Sequence, residues 1–203
     1  PHGRTGPDGR LTATYTASRF GGQETIKAHL TDTPSVSTAA VLTVMVPGLE
    51  LLPMNPFVYA KVGGTQFHTG PPSLATDHNH YGTPDFNAAI SNVSAQFKAQ
   101  FPARTVFIND MSLPSGGLFD IGPTGRCFTD RARTISCELW KTPHAFHRLG
   151  TSCDYNLSTG LDRDLDTEEE FLLIDLINRR EKLLTYTEGN HWHLYFPGGG
   201  PLR

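Results

Sequence analysis

Excess positive charge is missing from this 203-residue chain, in which 17 Lys and Arg stand against 20 Asp and Glu, a formal charge of −3 at pH 7. Polyphosphate binding needs a basic surplus, so no nucleic-acid partner is expected. Long apolar runs are missing too. None approaches the ~20 residues that a membrane-spanning helix requires, so the chain is not expected to cross a bilayer. Cysteine is scarce: Cys127, Cys137 and Cys153 make an odd count, which cannot pair fully within one chain. Neither an initiator methionine nor a signal segment opens the chain. It starts Pro1-His2-Gly3 and reads as a piece of something longer. What is abundant is glycine (20) and proline (15), with 37% hydrophobic and 18% charged residues. That composition belongs to a loop-rich globular protein, long enough for one ordinary domain and a smaller piece.

Along the chain, residues 1–48 read as β. Leu11-Thr12-Ala13-Thr14-Tyr15-Thr16-Ala17, Gln23 to Leu30 and Ala39 to Val46 alternate, with Asp8-Gly9 and Gly21-Gly22 as turn signals between them. Residues 49–56 are a linker by composition, and a second domain spans 57–203. Residues 63–84 read as a long loop holding Asp77-His78-Asn79-His80, a His-X-His pair that is either exposed or part of a site. Phe86, Ile90, Val93, Phe97 and Phe101 form one apolar stripe, predicting a helix over 85–101 capped by Asp85 or Thr83 and stopped by Pro102. Residues 104–110 read as a buried strand. Asp110 at its end either orients a ligand imidazole or caps the next turn.

Asp162, Asp164 and Asp166 imitate the start of a calcium loop. Thr167 stands where that loop needs Gly, and Leu173 where it needs Glu, so the stretch reads instead as the start of a helix. Thr167 with Glu170 makes a capping box for that helix, which runs to about Leu184. Residues 190–196 then form a strand. Trp192, Leu194 and Phe196 face the core, and His191, His193 and Tyr195 face the other side.

The chemistry concentrates in two places: Pro143-His144-Ala145-Phe146-His147-Arg148-Leu149-Gly150-Thr151-Ser152-Cys153-Asp154 and Glu188-Gly189-Asn190-His191-Trp192-His193. Zinc takes imidazole nitrogen and carboxylate oxygen, and a catalytic zinc keeps three protein ligands and one open position. His147 and Asp154 are seven apart with Gly150 between them to turn the backbone. Strand alternation puts His191 and His193 on one face, so one can bind metal while its neighbour works on a bound water. Cys153, beside Asp154, is a candidate fourth metal ligand, but the same alternation aims it away from the metal, so it reads as a buried free thiol. Cys127 and Cys137 flank a turn-like segment and are a candidate disulfide, which would fit an oxidising compartment.

These motifs resemble those of the LAS zinc metallopeptidases, which include lysostaphin-type endopeptidases, D-alanyl-D-alanine peptidases and the hedgehog signalling domain. Their pattern is His, six residues, Asp, then His-X-His with the second His on the metal. Asn109-Asp110-Met111-Ser112-Leu113 followed by Gly116-Gly117 is similar to the penicillin-insensitive murein endopeptidase branch, and the resemblance covers roughly residues 55 to 203. It implies His147, Asp154 and His193 as zinc ligands and His191 as general base or transition-state stabiliser. Glu188 lies three before His191, so His191 as ligand with Glu188 as base stays open. Asp110, His144, Arg148 and His80 are the candidates for the shell around the metal or for substrate contact. Residues 118–142 stand as an insertion relative to that branch. Residues 1–48 resemble the last strands of a bacterial Ig-like domain of the invasin and intimin kind.

The expected fold is α+β: a small antiparallel sheet, two main helices over one face and zinc on the open face, preceded by a partial all-β Ig-like fragment. The expected activity is zinc-dependent hydrolysis of peptide bonds, with peptidoglycan cross-links as the substrate the resemblance implies. An exported monomer, periplasmic or extracellular, is expected. The alternative is an inactive, hedgehog-like zinc-containing binding or adhesion module.

Overall fold

The structure is a computed structural model and describes residues 3–17, 21–62, 79–117, 128–129, 135–136, 144–156, 167–188 and 191–197. It is mixed α+β. The N-terminal part is a hairpin of β1 (Gly22–His29) and β2 (Ser37–Val44), paired antiparallel with Ile26 opposite Ala40. Residues 11–17, expected to be a strand, are exposed and adopt no regular structure. Alternation alone does not hold a strand, because its backbone groups need a neighbour. Within residues 49–56, β3 (Glu50–Leu51) pairs with β5 (Tyr81–Gly82), and Leu52 is fully buried.

The β3–β5 pair is a sheet of its own; the main sheet consists of β4 (Tyr59–Lys61), β6 (Val106–Ile108), β9 (Ser152–Asn156), β10 (Leu184–Glu188) and β11 (His191–Tyr195), while β7 (Phe128–Thr129) and β8 (Ile135–Ser136) make another small pair. Its strand order is β10-β11-β9-β6-β4. The sheet is not antiparallel throughout, as the sequence suggests, because β4 runs parallel to β6. The crossover between them carries the long helix α1 (Pro84–Gln100), the kind of connection a parallel pair requires. Of the two candidate caps for α1, Thr83 is the one used: its side chain accepts from the Phe86 N–H at 3.3 Å, and Pro84 opens the first turn.

The second helix is shorter than the sequence predicts. α2 (Thr167–Ile174) passes into a π-turn over Asp175–Arg180, and Lys182 takes φ 56°. The chain thereby turns back, and Leu184, expected to end the helix, opens β10 instead. Phe86, Ile90, Val93 and Phe97 of α1 and Leu173, Leu176 and Ile177 of the second helical segment share one core with Ile108, Cys153, Tyr155 and Leu194 of the sheet. Alternation then assigns the opposite face. Cys153 and Tyr155 enter the core, so Ser152 and Asp154 leave it; Leu194 enters, so His193 leaves it. Ile90→Val, which removes one methylene from this core, should cost about 0.5–1.5 kcal/mol in denaturant unfolding. A loss below that range would mean that α1 is not the core element described.

Candidate metal centre

Three side chains meet on the face away from the helices. His147 lies in a short 3₁₀ turn (His144–Leu149), Asp154 on β9 and His193 on β11, and the Cα atoms of Asp154 and His193 are direct cross-strand partners. Gly150, between the first two, has φ 68°, the left-handed conformation glycine adopts without strain, as its place between the ligands suggests. The Asp154 backbone is fixed on both sides: its N–H donates to Asp110 O at 2.9 Å and its carbonyl accepts from the Asn109 N–H at 2.9 Å.

Asp154 is the hub. Its Oδ1 lies 3.2 Å from His147 Nε2 and 2.8 Å from His193 Nδ1, and its Oδ2 lies 3.7 Å from His191 Nε2. His147 and His193 are 0% exposed and Asp154 3%. Burial alone would push the Asp154 carboxyl up, but the charges and contacts of His147 and His193 more than reverse this and hold it well below the usual carboxylate range. Burial pulls the His147 imidazole down, and the Asp154 carboxylate outweighs it, leaving its pKa raised. Asp154 Oδ1 has no hydrogen bond of ordinary geometry despite these short approaches. It and the two facing nitrogens converge on common space. One ligand atom from each residue lies within 4.8 Å of the others, so the group could hold a metal ion. Two imidazoles and a carboxylate are a donor set that zinc accepts.

His191 stands beside this group with 18% of its side chain exposed. Its Nε2 lies 3.2 Å from His193 Nε2. It thus touches the far nitrogen of a candidate ligand and is partly open to solvent. Asp110 is 4% exposed, and burial, reinforced by the Asp154 charge, pushes its carboxyl up to about 6. The contact of its carboxylate is with Asn79 Nδ2, which decides neither of its two sequence readings. His80 is buried too, and its Nε2 meets Ile108 O at 3.0 Å; among the described residues the group that could hold an ion is His147, Asp154 and His193. Arg148 is half-buried and uses its carbonyl to accept from the Gly117 N–H at 3.0 Å. Glu188 ends β10 with its Cα opposite that of His191. The side chains of Glu188 and His144 lie outside the described residues, as do Cys127, Cys137 and residues 162–166.

Two site residues are absent from the sequence-based expectation. Asn79, fully buried, donates from Nδ2 to Asp110 Oδ1. Ser152 lies with Oγ 3.4 Å from His147 Nδ1. Parity could have found Ser152, since it shares a strand face with Asp154. Nothing local marks Asn79, whose partner is 31 residues away.

Cys153 is buried and free, and burial, then the Asp154 charge, pushes its thiol well up. It should therefore resist alkylation in the native protein and react once denatured, as peptide mapping would read. Rapid native alkylation at Cys153 would contradict its burial.

No protein-family model matches this chain, and no curated protein matches it.

Proposed function

We propose that the chain is a zinc-dependent peptide-bond hydrolase acting on peptidoglycan cross-links. The observation that carries this reading is the meeting of His147, Asp154 and His193 in one buried group, with His191 adjoining on the strand face of His193. The same residues stand in the order and spacing of the LAS peptidase motifs. His147, Asp154 and His193 would hold the ion. Zinc in such a site polarises a carbonyl and brings the pKa of water towards neutrality.

The chain's own residues then have separate tasks. Asp154 supplies the negative charge and ties β9 to the site. Ser152, near His147 Nδ1, favours Nε2 as the nitrogen that faces Asp154. His191, partly open to solvent, can take a proton from the attacking water at Nε2 and pass it to the departing amine. Among the described residues no helix is long and apolar enough to cross a membrane. An exported monomer, with the N-terminal hairpin as part of an Ig-like stalk, completes the proposal.

One observation favours a second reading. All three candidate ligands are buried, as in a closed structural site, and that fits a hedgehog-like binding module. Metal analysis combined with turnover on purified peptidoglycan separates the two readings. Hydrolysis with one zinc per chain supports the enzyme, and zinc without hydrolysis supports the module. The third ligand can be read in the same assay: zinc kept by His193→Ala and lost by His191→Ala would move that role to His191, with Glu188 as base.

A further inference from the structure

We infer that residues 46–49, which join the N-terminal hairpin to the rest of the chain, position the His147 segment. The inference rests on the reading of His147 as a metal ligand. His147 sits in a six-residue 3₁₀ turn, a conformation with poor internal hydrogen bonds that rarely holds its own shape. Its support must come from outside. Part of it is the Gly117 N–H on Arg148 O at 3.0 Å and the Thr83 N–H on Gly150 O at 2.8 Å.

Further support comes from residues 46–49. Leu49 Cδ2 fills the notch left by the missing side chain of Gly150, and a Cβ there would collide with it. Val46 donates its N–H to Ser115 O at 2.9 Å, and its Cγ2 fills the notch of Gly116. A Cβ on Gly116 would lie 2.5 Å from Val46 Cγ2 and 2.8 Å from Arg148 O, and Gly116 has φ 71°. Gly21, beside the other leg of the hairpin, packs against the same Ser115 and Gly116 carbonyls. Both legs of the hairpin therefore land on residues 115–117, which in turn grip the residue after His147. The N-terminal piece is joined to the rest of the chain through the support of a metal ligand.

The test uses the full chain and zinc itself, with affinity read by competition against a chromophoric chelator. Leu49→Ala, which opens a hole on one side of the segment, and Gly116→Ala, which forces a bump on the other, should each weaken zinc about tenfold or more, the usual effect of losing an outer support. Each should also alter the visible spectrum of the cobalt-substituted protein. Leu49→Met should restore both readouts. Ile90→Val, a core change remote from the centre, should leave both unchanged, which a merely destabilising effect would not. Should Leu49→Ala fail to fold, Gly116→Ala and Leu49→Val carry the test. Wild-type zinc affinity and cobalt spectrum in the folded Leu49 and Gly116 variants would overturn the inference alone. A wild type that binds no zinc would overturn the metal reading, and the inference with it.

Discussion

Asp154→Asn should carry no zinc after dialysis under conditions in which the wild type keeps one ion per chain. The substitution preserves shape and removes charge at the one residue that faces all three histidines, with Oδ1 towards His147 and His193 and Oδ2 towards His191. Its backbone stays anchored to Asn109 and Asp110. The loss should exceed the roughly 10–100-fold that removing an outer partner costs, because a ligand itself is gone. Elemental analysis of the dialysed variant reads this directly, and a full equivalent of retained zinc would remove Asp154 from the ligand set.

A pH dependence follows with a definite sign. The Asp154 carboxyl is held below its usual range, so it stays ionised through the neutral region, whereas His147 is raised and takes up a proton as the pH falls through its shifted value. Zinc must displace that proton, so affinity should fall as the pH is lowered. Without metal, His147 acts in the opposite sense. Its raised pKa stabilises the fold at pH below the unfolded value, and that contribution is lost as pH rises through the folded one. Chelator-treated and zinc-loaded protein should therefore differ most in thermal stability on the alkaline side of this transition.

His191→Ala should keep its zinc and lose about two to four orders of magnitude in turnover, the usual worth of a positioned general acid or base. His191 is the one member of the histidine cluster with a partly exposed side chain, and it shares a strand face with His193. Its Nε2 also touches His193 Nε2, so turnover must be compared at saturating zinc, where any weakening of the ion's grip is removed from the result. Near-normal turnover with zinc in place would sink this role for His191. Glu188, opposite His191 in the β10–β11 register, would then be the next residue to change.

The parts legible in the sequence are those fixed by local periodicity. The stripe from Phe86 to Phe97 locates α1, and alternation over His191–Tyr195 separates Leu194 in the core from His193 on the other face. The same parity correctly buries Cys153 behind Asp154. The metal-ligand candidates were legible because two short motifs each restrict geometry, one through the glycine turn and one through the strand.

Elsewhere, distant contacts overrule local pattern. The apolar face of residues 171–177 would let a helix run on, yet Lys182 turns the chain so that Leu184–Glu188 can pair with β11. A signal for that hairpin was present, since only Gly189 and Asn190 separate two alternating segments. Residues 11–17 show the converse: a strand-like pattern that finds no partner among the described residues. The parallel pairing of β4 with β6 depends on a crossover through α1, and the Asn79–Asp110 contact bridges 31 residues. Spacing within a short window encodes neither.

As proposed, His147, Asp154 and His193 hold a zinc ion that supports hydrolysis of peptide bonds. The most direct measurement is the release of new amino termini from purified peptidoglycan by the zinc-loaded chain, by the same protein stripped with a chelator, and by the stripped protein given back one equivalent of zinc. A zinc hydrolase should give release by the first, none by the second and recovery in the third. No release by a chain shown to carry one zinc would contradict it and leave the closed, binding-module site in its place.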